Sequence, residues 1–176
     1  RAENLVEATQ NADIFVEVSG ILKSLASTLW KISSDLRLLS SGPDAGFGEI
    51  KLPALQEGSS IMPGKVNPVI PEAVTQAAML VTSNDQAIAM AAASGSLELN
   101  PFLPLIAHSL LKNCSLLTRA CRMLRTKCVD GIEANEERCR AFVDSSSATA
   151  TALVAKLGYT KVSELIKEAH DQNQSI

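Results

Sequence analysis

Apolar positions recur along this chain in steps of three and four residues, and Gly or Pro interrupts them at only a few points. The stretch from Leu5 to Leu39 holds no proline and a single internal glycine, Gly20. Within it Val18, Leu22, Leu25, Leu29, Ile32, Leu36 and Leu39 alternate steps of four and three, the heptad spacing of a bundle or coiled-coil helix. A helix of ~35 residues spans ~50 Å, more than a compact domain of this size needs. Other subunits are therefore expected to cover its apolar face. Ser40-Ser41-Gly42-Pro43 ends the stretch, and Asp44 to Gln56, with Gly46, Gly48 and Pro53, reads as an irregular connector.

A second helix is predicted from Glu72 to about Ala93, with Pro71 and Glu72 suited to a first turn. Asn84 and Asp85 fall in its middle and are expected to face solvent or another chain. Ser94-Gly95-Ser96 breaks it, and a third helix runs from about Phe102 to Cys128. Asn135 is placed to N-cap a fourth helix that runs toward Lys156, with Gly158 as its C-cap. Thr160 is expected to cap a last short helix carrying Val162, Leu165 and Ile166. These elements predict an all-α fold: a long-helix bundle over residues 1–131 and a small helical C-terminal subdomain over 132–176.

Composition supports that reading. Of 176 residues 46% are hydrophobic but only 3% aromatic, so the core is built from Leu, Ile, Val and Ala. A net charge of −3 with both signs interspersed gives no electrostatic case for nucleic acid or an anionic membrane. Cys114, Cys121 and Cys128 are seven residues apart and read as small buried hydrophobes; with Cys139 they form no metal-ligand or disulfide pattern. No apolar run approaches ~20 residues and no signal peptide opens the chain, which points to a cytoplasmic protein. The missing initiator Met and the helical pattern at the start imply part of a longer chain. His108, Trp30 and the set Arg119, Arg122 and Arg125 take ordinary readings: a structural histidine, a packing side chain, and a solvated or intersubunit face. His170 is expected to be solvent-exposed.

The chemistry concentrates between Gly58 and Pro68, Gly-Ser-Ser-Ile-Met-Pro-Gly-Lys-Val-Asn-Pro. Composition alone makes this a connector. Yet it gathers two hydroxyls, one ammonium, a side-chain amide and a Gly-Ser-Ser run whose N–H groups can form an anion nest. Lys65 supplies charge and Asn67 a directed donor for a carboxylate or phosphate, and a serine here could act as a general base if its alkoxide were stabilised. A phosphate-binding P-loop is excluded: five residues separate Gly58 from Gly64 where four are needed, and Val66 replaces Ser/Thr. A Ser-His-Asp hydrolase lacks its Gly-x-Ser-x-Gly elbow.

The wording of this stretch resembles the signature loop of the aspartase/fumarase superfamily, whose members reversibly eliminate ammonia or water to give fumarate. The tracts Asp35–Pro43, Ser83–Asn100 and Gly131–Asn135 extend the resemblance over most of the chain. The wording is closest to the aspartate ammonia-lyase branch, with class II fumarases second and a non-catalytic helical scaffold as a further alternative. The resemblance implies part of a central helical bundle, a homotetramer with active sites shared between subunits, and a small dicarboxylate substrate. It implies no cofactor and no metal.

It further implies Ser59 as the catalytic base, with Ser60 and Ile61 supplying N–H donors, and Lys65 and Asn67 binding substrate carboxylates. Ile61 and Met62 would line the substrate, and Glu72 matches the acid that pairs with a histidine from another subunit. Two departures stand out. Asp44 replaces a usual arginine, and Val154-Ala155-Lys156 replaces the usual lead-in to Gly158-Tyr159.

Overall fold

The structure is a computed structural model that describes residues 2–42, 45–56 and 66–172. Its scaffold is an up-down-up bundle of three long helices, α2 (Asp13–Leu39), α3 (Val69–Ala93) and α4 (Leu103–Lys127). A four-residue helix α1 (Leu5–Ala8) precedes it. The first predicted helix is thus divided. Asn4 caps α1 by accepting from the N–H groups of Val6 and Glu7, and the chain turns before the Asn11 side chain accepts from Asp13 N–H at 3.1 Å. Asparagine side chains that bond their own backbone compete with the helix, and here they win.

The antiparallel order is fixed by what meets along the helices. Ser19 and Lys23, early in α2, reach Asp85, late in α3, while Arg37 at the end of α2 faces Glu72 at the start of α3. α2 buries Ser19, Ala26, Leu29 and Ser33. Small residues at a seven-residue step let the backbones approach, and Leu22 and Leu36 flank them at the same step. Of the predicted heptad stripe, Leu22, Leu29 and Leu36 pack in the core, whereas Val18, Leu25 and Ile32 lie about 40% exposed.

Two apolar clusters result. One joins Ala26, Leu29, Val74, Ala78, Val81 and Leu117 at the end of the bundle from which the signature stretch leaves. The other joins Ala12, Ile88, Ala91 and Ile106 at the opposite end.

A polar layer separates the clusters. Asp85 is 6% exposed, accepts from the Ser19 hydroxyl at 2.7 Å and binds the Lys23 ammonium at 2.5 Å. Burial pushes the Asp85 carboxyl up, but the Lys23 and Ser19 hydrogen bonds and the Lys23 charge outweigh it and hold it below the usual aspartate range. On the same level the Asn84 side-chain amide donates to the Asn113 side-chain oxygen Oδ1 at 2.7 Å. The expectation that Asn84 and Asp85 face solvent or another chain is corrected: their partners are within this chain.

At the far end Asn100 serves two helices. Its amide donates to the Ala91 and Ala92 carbonyls that end α3, and its oxygen accepts from Phe102 N–H ahead of α4. The tight turn before it places Leu97 at φ 49°.

After α4 the chain forms a short 3₁₀ turn and strand β2 (Glu133–Ala134), which pairs antiparallel with β1 (Ile50–Lys51), Ile50 opposite Ala134. The connector therefore contains a strand pairing that the pattern did not predict. Three small helices follow: α5 (Glu136–Asp144), α6 (Thr151–Leu157) and α7 (Tyr159–Asp171). Asn135 caps α5 as expected. The fourth predicted helix is broken near Ser145–Ser146, where the Ser146 hydroxyl accepts from Ala148 N–H. Gly158, at φ 79°, ends α6 and directly precedes α7, so Thr160 lies inside the helix rather than capping it.

Three expectations for single residues are also corrected. Cys114 and Cys121 are exposed and only Cys128 is buried, where burial raises its thiol above the usual range. The bundle's inner face of α4 carries Ile106, Asn113, Ala120 and Leu124 instead. His108 is exposed on α4, and Trp30 is 38% exposed rather than packed inside. Arg119, Arg122, Arg125 and His170 are exposed as expected.

Candidate active site

Of the residues singled out by chemistry, Ser59, Ser60, Ile61, Met62 and Lys65 lie outside the described residues, as does Asp44. The structure places the two ends of the stretch that carries them. On the incoming side, the connector is held by α5. Asn135 donates from its amide to the Gly48 carbonyl at 2.9 Å and from its backbone to Glu49 at 2.8 Å. The Arg138 guanidinium donates to the Phe47 and Gly46 carbonyls at 3.1 and 3.0 Å and stacks 4.8 Å from the Phe142 ring centre. Gly46 has φ 154°, and a Cβ there would lie 2.5 Å from the Ser41 carbonyl oxygen, so a side chain does not fit.

On the outgoing side, the half-buried Asn67 leads into α3. Its carbonyl accepts from Val69 N–H at 2.9 Å, and Glu72 N–H donates to the Pro68 carbonyl at 3.1 Å. Ile70 packs against the cluster of Ala26, Leu29 and Val74, and Pro71 is buried. These contacts anchor the first turn of α3, and with it the backbone that presents Asn67 and Glu72. The Glu72 carboxylate lies 3.8 Å from the Arg37 guanidinium, each side chain a little over 40% exposed. It stands at the positive end of the α3 dipole, where a carboxylate is favoured.

A cavity of about 380 Å³ opens beside this region, lined among others by Ser40, Ser41, Lys51, Val66, Pro68 and Arg138. Neither Asn67 nor Glu72 lines it, so cavity size does not locate the chemistry.

The family profile described as "Lyase" matches residues 1–83. Aspartate ammonia-lyase of Helicobacter pylori is 52% identical over 175 residues, covering 99% of this chain and 37% of that protein. A solved fumarate lyase:delta crystallin from Brucella melitensis superposes with a TM-score of 0.95 at 55% identity, over 99% of this chain and 38% of that one. The chain belongs to the aspartase/fumarase superfamily.

Class II fumarate hydratase of Mycobacterium tuberculosis is also similar, at 45% identity over 175 residues, so both branches of the superfamily are represented among its relatives. The chain spans 37% of the length of the aspartate ammonia-lyase and fumarate hydratase that it matches. The all-α architecture, bundle first and small helices after, agrees with that membership. No helix among the described residues is long and apolar enough to cross a membrane.

Two features of the region escaped the sequence reading. Arg37 carries no signal of its own within the tract Asp35–Pro43, because nothing in the sequence brings position 37 against position 72. Asn135 was read as a helix cap, and its amide bond to Gly48, 87 residues away in sequence, gives no local signal.

Proposed function

We propose that the protein containing this chain is a lyase that reversibly eliminates ammonia from L-aspartate to give fumarate. The observation that carries the reading is 52% identity to an aspartate ammonia-lyase along essentially the whole chain, with Ser59, Lys65 and Asn67 all present in the signature stretch. The reaction must remove a weakly acidic proton from the carbon beside a carboxylate. Ser59, as alkoxide, takes that proton, with the N–H groups of Ser60 and Ile61 stabilising its charge. The electron pair moves into the neighbouring carboxylate, giving an enediolate-like dianion. Lys65 and Asn67 bind the carboxylates and favour the state in which negative charge has accumulated. Ile61 and Met62 line the substrate. Collapse of the dianion breaks the C–N bond and releases ammonia. Glu72 pairs with a histidine from another subunit to serve the leaving side.

The assembly in this reading is a cytoplasmic homotetramer with shared sites. Exposed Val18, Ile21, Leu25, Met79, Met90 and Leu111 on the long helices suit burial against further copies. A boundary near residue 131 between bundle and small helical subdomain is part of the same proposal, and the isolated 176-residue piece is expected to be inactive.

A second reading, class II fumarase, is favoured by the 45% identical fumarate hydratase and by the tract Leu103–His108. Fumarate absorbance in the full-length protein, offered L-aspartate and L-malate in parallel, separates the two. Turnover of aspartate alone is expected, and turnover of malate alone assigns the protein to the fumarase branch. A folded protein inert toward both would favour the non-catalytic scaffold.

A further inference from the structure

The chain leaves the bundle at the end of α2 and returns to it at the start of α3, so residues 40–68 connect two antiparallel helices. The neck of this excursion is closed in two layers. Inside, Leu36 and Ile70 pack on the same apolar cluster. Outside, one residue on from Leu36 and two on from Ile70, Arg37 and Glu72 face one another across α2 and α3. Arg37 is the only basic residue in the last turn of α2, and Glu72 the only acid in the first turn of α3.

We propose that Arg37 is a positioning residue for the lyase reaction, holding the Glu72 carboxylate at the neck of the signature excursion without itself touching substrate. This deepens the reading of Glu72 given above and rests on it. The geometry separates this role from a stabilising one. At 3.8 Å the pair makes no hydrogen bond, and both side chains are half in solvent, where an ion pair adds little to folding. What the guanidinium can do there is bias the carboxylate's direction. The Glu72 backbone is already fixed by its N–H bond to Pro68 and by the buried Pro71 beside it, so the side-chain torsions are what remains to be set. Arg37 sits on a rigid helix that can set them. A partner cation is needed because the dipole end of α3 attracts the carboxylate toward the helix axis, whereas Arg37 draws it across toward α2.

The test is a double-mutant cycle in the full-length protein, reading kcat, KM and thermal midpoint for Arg37→Ala, Arg37→Lys, Glu72→Gln and the double variant Arg37→Ala/Glu72→Gln. Misplacing a catalytic group costs up to ~100-fold, so Arg37→Ala is expected to lower kcat about 10- to 100-fold with KM and the midpoint near wild type. Arg37→Lys recovers part of that loss. In the Glu72→Gln background, removing Arg37 costs less than about twofold, because the carboxylate through which it acts is gone. Fully multiplicative losses overturn the proposal, and so does a raised KM with kcat unchanged, which would make Arg37 a direct binder of substrate carboxylate. If Arg37→Ala fails to assemble, Arg37→Lys in a folded protein with kcat lowered and KM and midpoint near wild type supports the proposal, and wild-type kcat or an equal loss of midpoint and kcat overturns it. A wild type inert toward both substrates removes the function reading and this role together. An active wild type with a multiplicative cycle removes the Arg37 role alone.

Discussion

The bundle joins α2 to α3 through two acid–cation pairs of opposite character. At mid-height Asp85, 6% exposed, meets Lys23 at 2.5 Å with the Ser19 hydroxyl as a second donor. At the loop end Glu72, its side chain 42% exposed, faces Arg37 at 3.8 Å. A buried carboxylate must be bonded from every available direction, and doing so uses up its capacity to interact with anything else. A half-exposed one adds little stability, but its oxygens remain open to a partner brought by another chain or by a ligand. Position within the helix pair, rather than residue type, separates the structural acid from the one available for chemistry.

The largest expected effect lies at the loop end. Lys65→Ala in the full-length protein removes the only cation of the signature stretch and should lower turnover by at least about 10³-fold with an unchanged fold, checked by fumarate absorbance and circular dichroism. Activity near wild type would detach the chemistry from this stretch.

The next largest lies at mid-height. Lys23→Ala leaves Asp85 buried with Ser19 as its remaining side-chain donor and should destabilise the protein by about 2–4 kcal/mol in denaturant unfolding at neutral pH. The sign of its pH dependence follows from the depressed Asp85 carboxyl. A carboxylate held below its unfolded value contributes stability that is present above about pH 3.9 and lost as pH falls through the lower folded value. The gap between wild type and Lys23→Ala should therefore narrow between about pH 5 and 3. A gap that widens on acidification would show that Asp85 is not the group responsible.

The smallest concerns Ser33, fully buried on α2 with no partner for its hydroxyl oxygen. An unsatisfied buried hydroxyl is a cost, so Ser33→Ala should leave stability unchanged or raise it by up to about 1 kcal/mol. A loss above that range would mean that the hydroxyl is bonded after all.

What could be read beforehand divides along the same physical line. The long helices and their stops were legible because apolar periodicity, Gly42, the Ser94-Gly95-Ser96 break and the Asn135 cap are local signals. The packing face was legible only in part. Leu22, Leu29 and Leu36 of the heptad stripe pack inside and Val18, Leu25 and Ile32 do not, while Ala12, Ser19, Ala26 and Ser33, which repeat every seven residues and are buried, carry no signal because small residues do not register as hydrophobic. Cys114 and Cys121 were misplaced for the same reason. Their spacing fits a stripe, but the inner face of α4 had already been taken by Asn113 and Ala120. Asp85 looked solvent-facing because its partner lies 62 residues away in sequence. The candidate site was legible as wording, Ser59, Lys65, Asn67 and Glu72, whereas the neck and the α5 clamp that position it depend on long-range contacts.

The most direct test of this division is to measure thermal midpoint and kcat side by side for Lys23→Ala and Arg37→Ala in the full-length protein. The account predicts a crossed result: Lys23→Ala loses several degrees with kcat retained, and Arg37→Ala loses kcat with its midpoint retained. Parallel losses in both variants, or the reverse crossing, would contradict it.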